Sequence, residues 1–166
     1  MKMKTYKQFL ICLAMLMVSM NLMAQREQLT FKGSISNFPQ GGSSPVTLTI
    51  APDGKFEFKV EGSKTVSAFS IKGTCPAYLI YYQPTPSGGK GVKSTGATWT
   101  LQITEWTAFS NTFKDKSTMY KPTDDRIKGS AVGKTNEKDI KLTVTLNIPL
   151  PNKKHYQIPL ECTLNK

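Results

Sequence analysis

The sequence predicts an all-β protein, a single antiparallel and partly open β-barrel, OB-like or lipocalin-like, of about eight to nine short strands. Apolar and polar residues alternate with period 2 in run after run from Leu29 to Leu164. Turn signals separate the runs, and no long helical periodicity follows the N-terminal segment, so no helical crossover joins the strands.

The first run alternates Leu29, Phe31, Gly33 and Ile35 with Thr30, Lys32 and Ser34. Val46, Leu48 and Ile50 follow, and "APDG" (Ala51 to Gly54) is a tight turn into a hairpin partner carrying Phe56, Phe58 and Val60. "EGSK" turns again into a strand with Phe69 and Ile71. Leu79 to Tyr82 read as the next strand, and Trp99, Leu101 and Ile103 as another. Ile127 to Val132 read as a short strand. Ile140, Leu142, Val144, Leu146 and Ile148 give the longest alternation, and Tyr156, Ile158, Leu160, Cys162 and Leu164 the last. Pro159 takes the outward parity of that last strand, which predicts an edge or a bulge there and an incompletely closed barrel. Three segments read as long loops: Asn37 to Pro45, Gln83 to Gly96 and Ala108 to Arg126.

Residues 1–24 read as a secretory signal peptide. Lys2, Lys4 and Lys7 make its positive start, Phe9 to Val18 an apolar run too short to span a membrane, and Ala24 the small residue before the cut. Cys12 lies inside the apolar run and is misplaced for lipid attachment. The expectation is an exported monomer, periplasmic or secreted, with no stable membrane insertion after cleavage and one domain over residues 25–166. Removing the three signal lysines leaves 19 basic against 11 acidic residues, a net charge of +8. Such a surface steers toward acidic partners. Nucleic acid is not the expected one, because an exported protein seldom meets it and the lysines are scattered singly.

Cys75 and Cys162 are the two cysteines after the cut, and in an exported chain they predict one disulfide. Cys162 shares the inward parity of Tyr156, Ile158 and Leu160 and would tie the last strand to Cys75, just upstream of Leu79.

No catalytic set emerges. His155 is the single histidine and lies in the lysine-rich turn "PNKKHYQ". Asp124 and Asp125 are adjacent and point apart on an extended chain, and Asp53 is an ordinary turn residue. "GGKG" lacks the phosphate-loop frame, and no histidine or cysteine cluster can be assembled for a metal. The expectation is a non-enzyme with no cofactor and no metal.

Binding remains, in three forms. A peptidase inhibitor would present stiffly rooted loops to an active-site cleft, because pre-organisation lowers the ordering cost of binding. Thr74, Cys75 and Pro76 would root one loop, with Lys90, Val92 and Lys93 exposed beyond it. Lys114, Asp115 and Lys116 lie in another. Lysines suit a trypsin-like cleft, and Asp115 could approach the zinc of a metallopeptidase. A lipocalin-like carrier would line a cavity with Phe31, Phe56, Phe58 and Trp99. A carbohydrate or nucleic-acid binder would stack ligands on exposed Tyr81, Tyr82 or Trp106.

The "LMAQ" junction, the mature length, the all-β alternation and the loop-bearing barrel resemble the potempins, small barrel-type inhibitors that accompany secreted bacterial proteases. The same features resemble bacterial lipocalin-like barrels. The first resemblance implies a secreted peptidase as partner, and the second an apolar small molecule.

Overall fold

A computed structural model gives the fold and describes residues 27–76, 98–122, 129–135, 139–149 and 154–166. The described strands are β1 (Leu29–Ile35), β2 (Ser44–Ile50), β3 (Lys55–Val60), β4 (Phe69–Thr74), β5 (Thr98–Trp106), β6 (Phe109–Phe113), β7 (Lys116–Tyr120), β8 (Gly129–Thr135), β9 (Asp139–Pro149) and β10 (His155–Asn165). Eight of them close into an antiparallel barrel in the order β1-β10-β9-β8-β5-β4-β3-β2, and β6 and β7 form a separate two-stranded sheet. The signal segment, the Leu79 to Tyr82 run, Asp124, Asp125 and the Gln83 to Gly96 loop with Lys90, Val92 and Lys93 lie outside the described residues.

The alternation sets the inside. β3 buries Phe56, Phe58 and Val60 and exposes Lys55, Glu57 and Lys59. β10 buries Ile158, Leu160, Cys162 and Leu164 and turns Pro159, Glu161 and Thr163 outward. Phe31 meets Trp99 edge to face across the interior, with ring centroids 6.4 Å apart. Phe31, Phe56, Phe58 and Trp99, expected as the lining of a carrier's cavity, all belong to one packed core. Burial of each such side chain stabilises the barrel by roughly 1.5–3 kcal/mol. Gly73 allows the closest approach of two strands: a Cβ there would sit 1.9 Å from the Gln102 carbonyl oxygen.

Four expectations need correction. The barrel closes rather than staying partly open. Pro159 nevertheless lies on a stretch paired only with β9 and without a strand on its β1 side, because β10 outruns β1: their register spans only Lys32–Ile35 against Asn165–Cys162. Beyond that point the Asn37 side chain replaces the missing strand. Its Nδ2 donates to the Pro159 carbonyl at 2.8 Å, and its Oδ1 accepts from the Glu161 N–H at 2.8 Å. The Pro159 nitrogen faces the same side as its carbonyl, so the absent N–H deprives no ladder of a bond.

The second correction concerns Trp106, expected as an exposed platform and in fact buried. The register slips between Lys72 and Gly73, whose partners are Glu105 and Ile103, so Thr104 is an extra residue. This bulge turns both Thr104 and Glu105 outward and brings Trp106 back to the inside.

The third is the Ala108 to Arg126 loop, which contains the β6–β7 hairpin. The fourth is the disulfide. No bond joins Cys75 and Cys162, although both are buried. Three strands separate β4 from β10 in either direction around the barrel, so the two stand on opposite walls. A disulfide needs Cα atoms about 4.4–6.8 Å apart, the spacing of neighbouring strands. The Cys75 N–H instead bonds the Gly54 carbonyl at 2.7 Å, and the Cys162 thiol donates to the Leu142 carbonyl at 3.5 Å.

Candidate functional site: a capping hairpin and its exposed tip

From Trp106 the chain crosses Thr107 and Ala108 and enters β6. Thr107 is tied to Ser70 twice: its N–H donates to the Ser70 carbonyl at 2.9 Å, and its Oγ1 accepts from the Ser70 N–H at 2.9 Å. The hairpin is thereby laid over the end of the barrel where β4 begins. Phe109 is its apolar foot, stacked on Phe69 at 4.2 Å and on Tyr120 at 5.0 Å. Phe38 meets Phe69 and Phe109 edge-on, and Trp106 packs against Phe109 from the strand below. Aromatic pairs of this kind add about 0.5–1.5 kcal/mol each beyond their buried area. Burial pushes the Tyr120 phenol up, with Tyr156 acting in the same direction and a hydrogen bond with Gln40 opposing both.

Asn111 supplies the polar half of the attachment. It is 0% exposed, yet its amide is well partnered. Nδ2 donates to the Gly41 and Thr65 carbonyls, each at 3.2 Å, and Oδ1 accepts from the Gln40 N–H at 2.9 Å. These bonds reach two loops at once, 38–42 and 61–68. Backbone bonds reinforce them: Thr112 N–H to the Thr65 carbonyl at 2.7 Å and Ser67 N–H to the Ser110 carbonyl at 2.9 Å. The Gln40 amide also donates to the Thr118 hydroxyl. Buried amides in low dielectric favour one arrangement strongly, because any other leaves them unpaired.

Past this root the hairpin projects. Phe113 pairs with Lys116 around a two-residue turn of Lys114 and Asp115. Both turn residues are left-handed, with φ of 46° and 63°. Such turns suit Asn-Gly, and a lysine held there is strained. The Lys114 amine stands 5.3 Å from the Phe113 ring centroid. Phe113 is 52% exposed and Met119 56%.

The sequence-predicted site residues therefore separate. Lys114, Asp115 and Lys116 gather at the tip. Thr74 and Pro76 lie at the opposite end of β4, away from the cap. Thr74 is exposed, and its hydroxyl bonds Gln102 at 3.3 Å. Beside it, an open groove of about 560 Å³ runs over β2 to β5, lined in part by Lys55, Glu57, Lys72 and Glu105. Lys72 lies between Glu57 at 3.8 Å and Glu105 at 3.9 Å, so the groove's charges answer one another. Asp53, at the nearby turn, has its carboxyl lowered by hydrogen bonding to Lys55.

Sequence reasoning missed Phe38, Phe113 and Asn111. The signal for β6 was present in Phe109 and Phe113, but a polar residue at the centre of the inward row hid the alternation.

Among the described residues no group of three or more His, Cys, Asp or Glu could hold a metal, and no helix is long and apolar enough to cross a membrane. His155 is exposed at the start of β10. No protein-family model, curated protein or solved structure matches the chain.

Proposed function

We propose that the protein is an exported, non-enzymatic binding module that inhibits a peptidase by placing the β6–β7 hairpin in its active-site cleft. One observation carries this reading: a strained two-residue tip stands on a root fixed by Asn111 and the Phe69–Phe109–Tyr120 stack. A loop ordered before contact loses little conformational entropy on binding, so more of its contact energy appears as affinity. The tip is also cationic, in keeping with the net charge of +11 for the whole chain. The resemblance to the potempins points the same way.

The test is a panel of serine, cysteine and metallo-peptidases titrated with the chain from Gln25 onward. The expected result is saturable inhibition within one class at micromolar excess or below. No inhibition in any class would end this reading. A native mass spectrum carrying a retained apolar molecule would favour the carrier instead.

A further inference from the structure

β6 presents Phe109, Asn111 and Phe113 on one side, since alternate residues of a strand share a face. Phe109 is 1% exposed and Asn111 0%, because that face rests on the barrel end. Phe113 continues the same row, but it overhangs the rim and is 52% exposed. About half of this large ring therefore faces solvent, a sizeable apolar surface next to exposed Met119. The Lys114 amine also stands over the ring, 5.3 Å from its centroid. Exposed aromatics are frequent anchors of protein interfaces.

Around this ring the hairpin tip carries charge of one dominant sign. Lys114 and Lys116 outnumber Asp115. Lys114 and Lys116 form no ion pair with another described residue, unlike Lys55 and Lys72, which meet Asp53, Glu57 and Glu105. Those cations are thus available to complement carboxylates on a partner.

The turn geometry adds a constraint. A scissile bond is presented by several residues in extended conformation, whereas Lys114 and Asp115 are left-handed. The tip cannot lie in a cleft as a substrate does without opening the hairpin.

We propose that Phe113 is the binding anchor. It fills an apolar pocket whose rim carries carboxylates, Lys114 and Lys116 engage that rim, and the hairpin enters as a wedge that stays uncut. This inference rests on the inhibitor reading above and names the chemistry of its partner.

The test uses the peptidase that the wild-type chain inhibits best. Phe113→Ala should raise the inhibition constant about 30-fold or more, the effect of losing an interface hot spot. Phe113→Leu should retain most of the inhibition. Lys114→Glu with Lys116→Glu should slow association, and the difference from wild type should shrink as salt rises. Mass spectrometry after prolonged incubation should find the chain intact at 113–116. Phe113 is half-exposed, so its variants should unfold at the wild-type temperature.

Inhibition by Phe113→Ala within about threefold of wild type, less than 1 kcal/mol at 1.4 per tenfold, would overturn the anchor while leaving the inhibitor reading intact. Loss of inhibition on Lys90→Ala with Lys93→Ala, but not on Phe113→Ala, would move the site to the other loop. Cleavage within 113–116 would overturn the wedge. If the wild-type chain inhibits no peptidase, the reading and the anchor fall together.

Discussion

The barrel wall and the hairpin that caps it are held by different physics. The wall rests on repetition: every second residue points into one apolar core, and strand pairing supplies the backbone bonds. The cap rests on a few particular groups, a buried amide that bridges two loops and a short aromatic stack. A wall built by repetition tolerates exposed substitution and suffers from internal cavities. A cap built on few groups can come loose as a unit while the barrel stays shut. The difference explains how one small domain can combine a stiff scaffold with a strained, protruding tip.

The largest expected effect is on the wall. Phe58→Ala removes a fully buried ring and should cost about 3–5 kcal/mol of global stability, measured by urea unfolding. Amides of the barrel and the hairpin should then lose protection together in hydrogen exchange. Asn111→Ala should cost less, about 2–4 kcal/mol, because three hydrogen bonds go and their backbone partners stay buried. Here the hairpin amides should exchange faster and the β9–β10 amides should not. Equal loss of protection in both regions would erase the distinction between wall and cap.

A third comparison lies inside the wall. Burial pushes the Cys162 thiol up from its ordinary 9.0 to about 12. The folded chain holds the proton more tightly than the unfolded one. The neutral thiol's contribution is therefore complete below pH 9, and it is lost as pH rises through the window from 9 to 12. Relative to wild type, Cys162→Ala should unfold less steeply with pH across that window, by about 1–3 kcal/mol in all. A parallel pair of curves would mean that the thiol is not buried as described. In the wild-type chain from Gln25 onward, unfolding without reductant should expose two titratable thiols, Cys75 and Cys162. A persistent Cys75–Cys162 bond would contradict the opposite-wall placement.

The smallest effect belongs to the tip. Lys114→Asn with Asp115→Gly gives the turn its preferred residues and should stabilise the fold by about 1 kcal/mol, raising Tm by a few degrees. A fall in Tm would show that the left-handed backbone there is not strained.

Much of the wall was legible in the amino-acid sequence, because its signal is the period-2 pattern itself. β1 to β3 and β9 follow it residue by residue, and β10 follows it from Ile158 onward, Tyr156 being exposed despite its inward parity. What eluded the sequence were breaks in that pattern. Thr104 shifts parity in β5, and a one-residue bulge leaves no mark beyond the apolar residue moving from an odd to an even position. Asn111 interrupts the inward row of β6, so a docked strand looked like a loop. Asn37 completes a ladder with its side chain, a role no local pattern announces. The Cys75–Cys162 pairing failed for a related reason: parity says that a residue points inward, not from which wall it points. Of the candidate site, Lys114, Asp115 and Lys116 were named from loop length and charge. Phe113, their neighbour, was not, because its exposure depends on where the barrel rim ends.

The most direct test exchanges only the tip. Phe113→Ser, Lys114→Asn, Asp115→Gly and Lys116→Thr together keep a two-residue hairpin and leave Asn111 and Phe109 in place. The tip-exchanged chain should unfold cooperatively, at or a few degrees above the wild-type temperature, and both should be titrated against the same peptidase panel. The account predicts that the wild-type chain inhibits one class and that the exchanged chain does not. Equal inhibition by the two folded proteins, or none by either, would contradict it.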